Sequence, residues 1–124
     1  MCCAINYEQV LQKALRVLYP NAAERSEIEA SLQSYGRDSF HIEIPRVRLA
    51  ILYLASQEPG RFADYLELAR TDYRDLLCAA EYPYSSRRWR LKEKDPDKFS
   101  KLEAKEKAEY LDWIDGIESA AAAE

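Results

Sequence analysis

The segment Leu66–Pro83, LELARTDYRDLLCAAEYP, predicts two short helices that meet at a tight corner. Apolar residues recur at helical spacing on both sides of it: Phe62, Tyr65, Leu66 and Ala69 before the corner, and Tyr73, Leu76, Leu77 and Ala80 after it. Thr71 is the predicted N-cap of the second helix, and Asp72 follows in its first turn, where the helix dipole favours a carboxylate. Pro83 ends the second helix, so two matched stripes are expected to face one core.

Helical patterns also occupy the chain before this corner. Residues 5–18 form an amphipathic helix that stops before Pro20, and Asn21 caps a second helix that reaches about Tyr35. Residues 37–44 predict an extended connector that lays Phe40 and Ile42 on the core, with a short strand as the alternative. The helix from Pro45 to Ser56 has almost no polar face, so we expect it at the centre of the domain.

Two further helical segments follow Pro83. Residues 84–94 predict one or two helical turns that bury Trp89 and Leu91. Asp95 followed by Pro96 is a strong start signal for a last, long helix. Its polar middle, residues 104–108, indicates that it bridges a gap or packs loosely there.

These patterns, with the abundance of Ala, Leu, Glu, Lys and Arg, predict one all-α domain over residues 1–124. The expected architecture is an irregular bundle of six to seven helices, with stacked helical hairpins of a short α-solenoid as the alternative. Residues 1–4 and 119–124 are expected to fray.

Charge is distributed unevenly along the chain. The formal net charge of −4 argues against a general nucleic-acid or membrane-surface binder. Residues 84–101, however, carry seven Lys or Arg against three Asp or Glu, whereas residues 102–124 carry two against seven. The structural interpretation is that these neighbouring segments attract and neutralise each other.

The cysteines indicate a reducing compartment. Cys2, Cys3 and Cys78 are an odd set, and adjacent cysteines do not readily bridge each other. With neither a signal-peptide pattern nor an apolar stretch long enough to span a bilayer, the sequence predicts a cytoplasmic protein.

Most catalytic chemistry lacks the residues it needs. His41 is the one histidine, which excludes a multi-histidine metal site, and three isolated glycines form no phosphate-binding loop. Cys78 is expected to be a half-buried structural thiol, and His41 a packed or surface residue. We therefore predict no catalytic residue, no metal site and no cofactor.

Four charged residues surround the corner: Arg70, Asp72, Arg74 and Asp75. They can present a polar surface to a ligand or partner, or they can brace the corner through caps and ion pairs with the third or last helix. We favour bracing. A DNA-reading helix-turn-helix fits poorly, because that motif has a longer turn and two carboxylates would meet the phosphates.

A second candidate surface follows Pro83. Arginines with an interleaved tryptophan can contact phosphates and stack on a base. The candidate polyanion-binding residues are Tyr84, Arg87, Arg88, Trp89, Arg90, Lys92 and Lys94. The alternatives are neutralisation by the acidic last helix and coverage of apolar surface by the basic side-chain stems.

The corner segment also carries a resemblance. Ala69-Arg70, the run Asp72 to Leu77 and the run Ala79 to Pro83 resemble a pattern in short, uncharacterised bacterial all-helical proteins. The resemblance covers about a third of the chain and implies a small, soluble, helical bacterial protein, with no activity and no functional residue.

The leading functional prediction is a non-enzymatic interaction or scaffold protein, whose partner is a second copy or another protein. The absence of catalytic constellations and the nine tyrosines and two tryptophans favour it, since aromatics suit protein interfaces. The alternative is nucleic-acid or other polyanion binding through residues 84–101. A small-ligand site or enzyme at the corner is third.

Overall fold

The computed structural model describes residues 5–123, in which helices are joined by turns and loops and no strand forms. Seven α-helices and one 3₁₀ turn together cover 77% of the described residues, which confirms the all-α prediction. A 3₁₀ turn at Ser85–Arg87 separates the fifth and sixth helices. The helices are α1 (Tyr7–Leu18), α2 (Ala22–Leu32), α3 (Ile44–Gln57), α4 (Phe62–Thr71), α5 (Tyr73–Glu81), α6 (Trp89–Lys94) and α7 (Pro96–Ala122).

Helix α3 is the central helix, as its apolar sequence predicts. It packs against α1, α4 and α5, which leaves little of its surface for water. The first and last helices, α1 and α7, also pack against each other, so the described chain closes into a bundle. The buried residues of α3 are Val47, Leu49, Ala50, Ile51, Leu52, Leu54 and Ala55.

The corner between α4 and α5 forms as predicted, except for its cap. Asp72 alone separates the two helices, and its Oδ1 accepts a hydrogen bond from the Asp75 N–H at 3.2 Å. Thr71, the predicted cap, instead closes α4 and donates its hydroxyl to the Glu67 carbonyl oxygen at 3.0 Å. The prediction is wrong by one residue because the Thr71 hydroxyl bonds back to the preceding turn.

The prediction for the connector between α2 and α3 is wrong. This segment is a series of turns in which the Phe40 side chain is 69% exposed and Ile42 is also exposed. His41 is buried instead, with its ring stacked on Tyr35 at a centroid distance of 4.3 Å. Its Nδ1 accepts a hydrogen bond from the Gly36 N–H at 2.7 Å, so the turn satisfies the polar ring in the interior.

The 3₁₀ turn and α6 form a second packing region on the N-terminal half of α7. Trp89 is 59% exposed, so the prediction that it is buried is wrong, while Leu91 is half-buried. Phe99 is the buried aromatic of this region. The prediction of a loosely packed α7 middle is wrong at Glu106, which is buried and hydrogen-bonded.

Some predictions concern the ends of the chain. Helix α7 continues as far as Ala122. Fraying of residues 119–124 stays a prediction, and so does the assignment of residues 1–124 to a single domain. Residues 1–4 and 124 lie outside the described residues, and the predictions for Cys2 and Cys3 fall there. No helix among residues 5–123 has the length and apolar character that crossing a membrane requires.

Candidate functional site

A basic surface depression, with a volume of about 500 Å³, lies where the 3₁₀ turn, α6 and the start of α7 meet. We call it the basic depression. Its lining contains five cationic side chains, one tryptophan and one leucine, and no carboxylate. The lining residues are Arg87, Arg88, Trp89, Arg90, Leu91, Lys94 and Lys98.

The cations of the basic depression form no ion pairs with the described acids. In the described chain, no carboxylate lies within 4.0 Å of any of the five, although Arg46, Arg61 and Arg70 all have such partners. The acidic half of α7 does not reach them: its Glu118 faces Lys13 on α1, at 4.0 Å. The predicted attraction between the two charged segments therefore forms no ion pair among these residues.

Trp89 lies in the middle of these cations with much of its ring in solvent. The Arg90 guanidinium carbon is 5.3 Å from the ring centroid, above the ring. Helix α6 has only six residues, and none of them is fully buried. One side of the ring is thus covered by a cation, and the remainder is accessible.

The structure brings together most of the predicted polyanion-binding residues. Five of the seven line the basic depression, but Tyr84 is exposed outside it and Lys92 lies over the Phe99 ring at 6.0 Å. Lys98 was missed. It is four residues after Lys94, but the helix break at Asp95 separates the two in the sequence pattern.

Glu106 on α7 supports the start of this segment. Its carboxylate accepts hydrogen bonds from the backbone N–H groups of Tyr84 and Ser85, the latter at 2.8 Å. Glu106 is buried, and a carboxylate that accepts backbone N–H bonds orders the chain at the first turn of a helix. The basic residues that follow are therefore presented from an anchored turn.

The ion pairs that join α5 to the third and last helices involve Glu81, at the end of α5. Its carboxylate is 1% exposed and accepts hydrogen bonds from Arg46 at 2.9 and 2.7 Å and from Lys107 at 2.7 Å. Burial alone raises the pKa of Glu81, but the bonds from Arg46 and Lys107 outweigh it and hold that pKa below its ordinary value. Sequence reasoning missed this site.

The four corner residues do not brace α3 or α7 by ion pairs, so that part of the bracing prediction is wrong. Arg70 pairs with Glu67 of its own helix, and Arg74 donates to the Tyr73 hydroxyl at 3.3 Å. Asp72 contributes its cap to Asp75. Arg70 also donates to the Ser34 hydroxyl, 3.4 Å away in the turn after α2, but this contact does not involve α3 or α7.

Three of the four corner residues share a depression of about 310 Å³. Arg70, Asp72 and Arg74 line it together with Phe40 and His41. Asp75 instead lines a separate depression that also contains Cys78. The corner therefore does not gather all four charges around one space, and its role as a ligand surface stays a prediction.

Cys78 is half-buried, as predicted. Burial raises the pKa of its thiol, and the nearby Asp75 and Glu81 carboxylates raise it further, so the thiol is protonated at neutral pH. Across residues 5–123 no group of three or more His, Cys, Asp or Glu side chains has an arrangement that could hold a metal ion.

Comparison with known proteins adds no assignment. Neither a protein-family model nor a curated protein nor a solved structure matches the chain. The resemblance of residues 69–83 to bacterial helical proteins stays a prediction, and function has to be inferred from the surface itself.

Proposed function

We propose that this is a non-enzymatic binding protein that holds a polyanion in the basic depression. The observation that carries the proposal is the set of five lining cations without a carboxylate within 4.0 Å in the described chain. We also propose the cytoplasmic location that the cysteines predict.

Electrostatics favour a phosphate-rich or sulfate-rich chain as the ligand. Each contact with such a chain releases condensed counterions, so affinity rises with the number of cations and falls as salt rises. The chain as a whole carries a formal charge of −4, and the excess of cations is confined to residues 84–101. A polyanion is therefore repelled elsewhere and directed to this one surface.

The test compares two double variants that remove the same charge from the two candidate surfaces. The double variant Arg88→Ala with Arg90→Ala removes two cations from the basic depression. The double variant Arg70→Ala with Arg74→Ala is the matched control at the corner. Binding of inorganic polyphosphate and of a single-stranded oligonucleotide is measured across a salt series. At low salt we expect the first variant to lose roughly 30-fold in affinity, from about 1 kcal/mol per cation.

The salt dependence gives a second readout. Removing two contacts to a single strand should reduce the slope of log affinity against log salt by about 1.4. The corner variant should keep the slope and affinity of the unchanged protein. Absence of binding at low salt, binding that salt does not weaken, or equal losses in both variants would each overturn the proposal.

A scaffold function through protein contacts is the second candidate. Phe40 and Ile42 favour it, because they place two large apolar side chains in solvent on one connector. The partner proposed here is a second copy of the chain. Light scattering should show a dimer that Phe40→Ser with Ile42→Ser converts to a monomer, and a strict monomer before substitution would count against this function.

A further inference from the structure

We infer that the polyanion is a single-stranded nucleic acid, and that one of its bases stacks on the open side of Trp89 while its phosphates meet the surrounding cations. This inference rests on the proposed function, and it adds a role for the bases that polyanion binding alone does not require.

Trp89 is placed as a stacking platform. The other tryptophan, Trp113, packs in an aromatic cluster with ring-centroid distances of 5.0 Å to Tyr53 and 6.1 Å to Tyr110. Trp89 stacks on no other aromatic ring among residues 5–123 and is 59% exposed, with the Arg90 guanidinium over its ring. A base on the open side would complete a sandwich in which the ring lies between a guanidinium and a nucleobase.

The cations lie on both sides of this ring along the chain. Arg87 and Arg88 precede Trp89, and Lys94 and Lys98 follow it, all lining one depression. Helix α6 spans about 9 Å over its six residues, so cations at its two ends are far enough apart to meet different phosphates of one strand. A flat ring within a track of cations is the arrangement that single-strand binders use.

A duplex fits this surface poorly. Its bases are stacked inside, and turning one outward to reach Trp89 would cost a few kcal/mol. Base reading in the major groove needs an element that enters the groove. Helix α6 is six residues long and lies against α7, so it is too short and too closely packed to enter a groove.

Base contact is tested by comparing strands that carry bases with an abasic strand, polyphosphate and a duplex. The intact protein is titrated at low salt with a thymidine 12-mer, a uridine 12-mer, an abasic deoxyribose-phosphate 12-mer, inorganic polyphosphate and a 12-base-pair duplex. Affinity is measured by anisotropy of the labelled nucleic-acid probes, and by competition for polyphosphate. Trp113 is half-buried, so quenching of intrinsic fluorescence by a stacked base is expected chiefly at the exposed Trp89.

Two substitutions separate stacking from charge. Trp89→Ala should weaken the thymidine and uridine 12-mers roughly 10- to 100-fold, the range expected for loss of base–aromatic stacking. Trp89→Ala should leave the affinity for the abasic strand and for polyphosphate unchanged. Trp89→Phe keeps an aromatic platform, so it should retain most of the affinity while abolishing the fluorescence quenching that a stacked base causes. Trp89 is exposed, so both variants are expected to fold, and circular dichroism checks this.

The outcomes distinguish the inference from the proposed function. Equal affinity for base-bearing and abasic strands, with no effect of Trp89→Ala, would overturn base stacking and leave polyanion binding intact. Tighter binding of the duplex than of either single strand would also overturn the inference. If no probe binds at low salt, the proposed function itself fails.

Discussion

The corner between α4 and α5 and the basic depression on α6 contain the same kinds of charged side chain in different electrostatic states. At the corner, Arg70 pairs with Glu67 and Arg74 bonds to the Tyr73 hydroxyl. In the basic depression, Arg88 and Arg90 have no carboxylate within 4.0 Å in the described chain. One surface satisfies its cations locally, while the other leaves them available.

Sequence spacing alone does not explain this difference. Glu67 precedes Arg70 by three residues in a regular helix, which is the spacing at which side chains on one face meet, and the two form an ion pair. Glu93 follows Arg90 by the same spacing in α6, yet no ion pair forms between these two in the described chain. Equal charge on two surfaces therefore says little about binding until the local partners are counted.

Two buried carboxylates differ from both surfaces, since they join parts of the chain that are distant in sequence. Glu81 connects α5 to Arg46 and Lys107, and Glu106 holds the turn before α6. Buried charges of this kind are costly to leave unpaired, whereas exposed pairs contribute little. The loss in the free energy of unfolding should therefore be larger for substitutions at buried charges than at exposed ones, and denaturation experiments can test that order.

Glu81→Ala should have the largest effect on stability. It leaves Arg46 and Lys107 without their shared acceptor in a partly buried site, and we expect a loss of about 3 kcal/mol in the free energy of unfolding. Urea denaturation measures this loss, with Glu67→Ala as the exposed control. A loss from Glu67→Ala as large as that from Glu81→Ala would remove the distinction between buried and exposed charges.

The contribution of Glu81 should also depend on pH. The folded pKa of Glu81 lies below its ordinary value, so the unfolded state takes up a proton first as pH falls. The stability from Glu81 is therefore fully present above about pH 4.3 and is lost as pH falls through the lower folded pKa. The stability difference between the unchanged protein and Glu81→Gln should shrink between pH 5 and pH 3. A constant difference would contradict the lowered pKa.

Glu106→Gln should have the next largest effect. A glutamine side chain offers one carbonyl oxygen, so one of the N–H groups of Tyr84 and Ser85 loses its acceptor and faces an amide. We expect a loss of about 2 kcal/mol, the cost of an unsatisfied buried donor. Faster hydrogen exchange of the Ser85 amide checks the site.

The exposed Asp112→Asn on the same helix is the matched control for Glu106→Gln, since it removes one charge and should leave exchange at Ser85 unchanged. If Glu106→Gln keeps the unchanged exchange rate at Ser85, the carboxylate is not what anchors the turn. Polyanion affinity should also fall in Glu106→Gln and not in Asp112→Asn, because the turn that Glu106 anchors presents Arg87 and Arg88.

Asp72→Ala tests the cap of the corner at a smaller magnitude. Loss of the Asp72 carboxylate acceptor for the Asp75 N–H should cost about 1 kcal/mol. Asp72→Asn keeps an acceptor and should be close to neutral. Thr71→Ala should have a smaller effect than Asp72→Ala, and the reverse order in urea denaturation would reinstate Thr71 as the cap.

The difference between Thr71 and Asp72 illustrates what the sequence could predict. Helices, stripes and the central position of α3 follow from local spacing, and they were predicted. The choice between adjacent cap residues depends on where the Thr71 hydroxyl bonds, which spacing does not determine, so the corner was predicted correctly and its cap was not. Lys98 joined the candidate site only because the chain turns at Asp95, which brings two helices to one depression.

The long-range contacts could not be predicted from spacing. Glu81 and Glu106 are two acids among many on helices, and nothing local distinguishes the buried ones from the solvated ones. The alternation of Phe40, His41 and Ile42 does indicate two faces, but it does not show which face turns inward. His41 is inside because the Gly36 N–H supplies a hydrogen bond there, a contact set by the turn geometry.

Arg70→Ala should have the smallest effect of the series. Arg70 is exposed, its ion pair with Glu67 lies within one helix, and its contact with the Ser34 hydroxyl is long at 3.4 Å. We expect a change of at most about 0.5 kcal/mol, because solvent screens such a pair and holding two long side chains costs entropy. Urea denaturation with and without 1 M salt checks both points, since a screened pair contributes still less at high salt. A loss approaching that of Glu81→Ala would mean that the corner charges do brace the fold. The contrast between a corner whose cations have local partners and a basic depression whose cations lack them would then rest on the binding measurements alone.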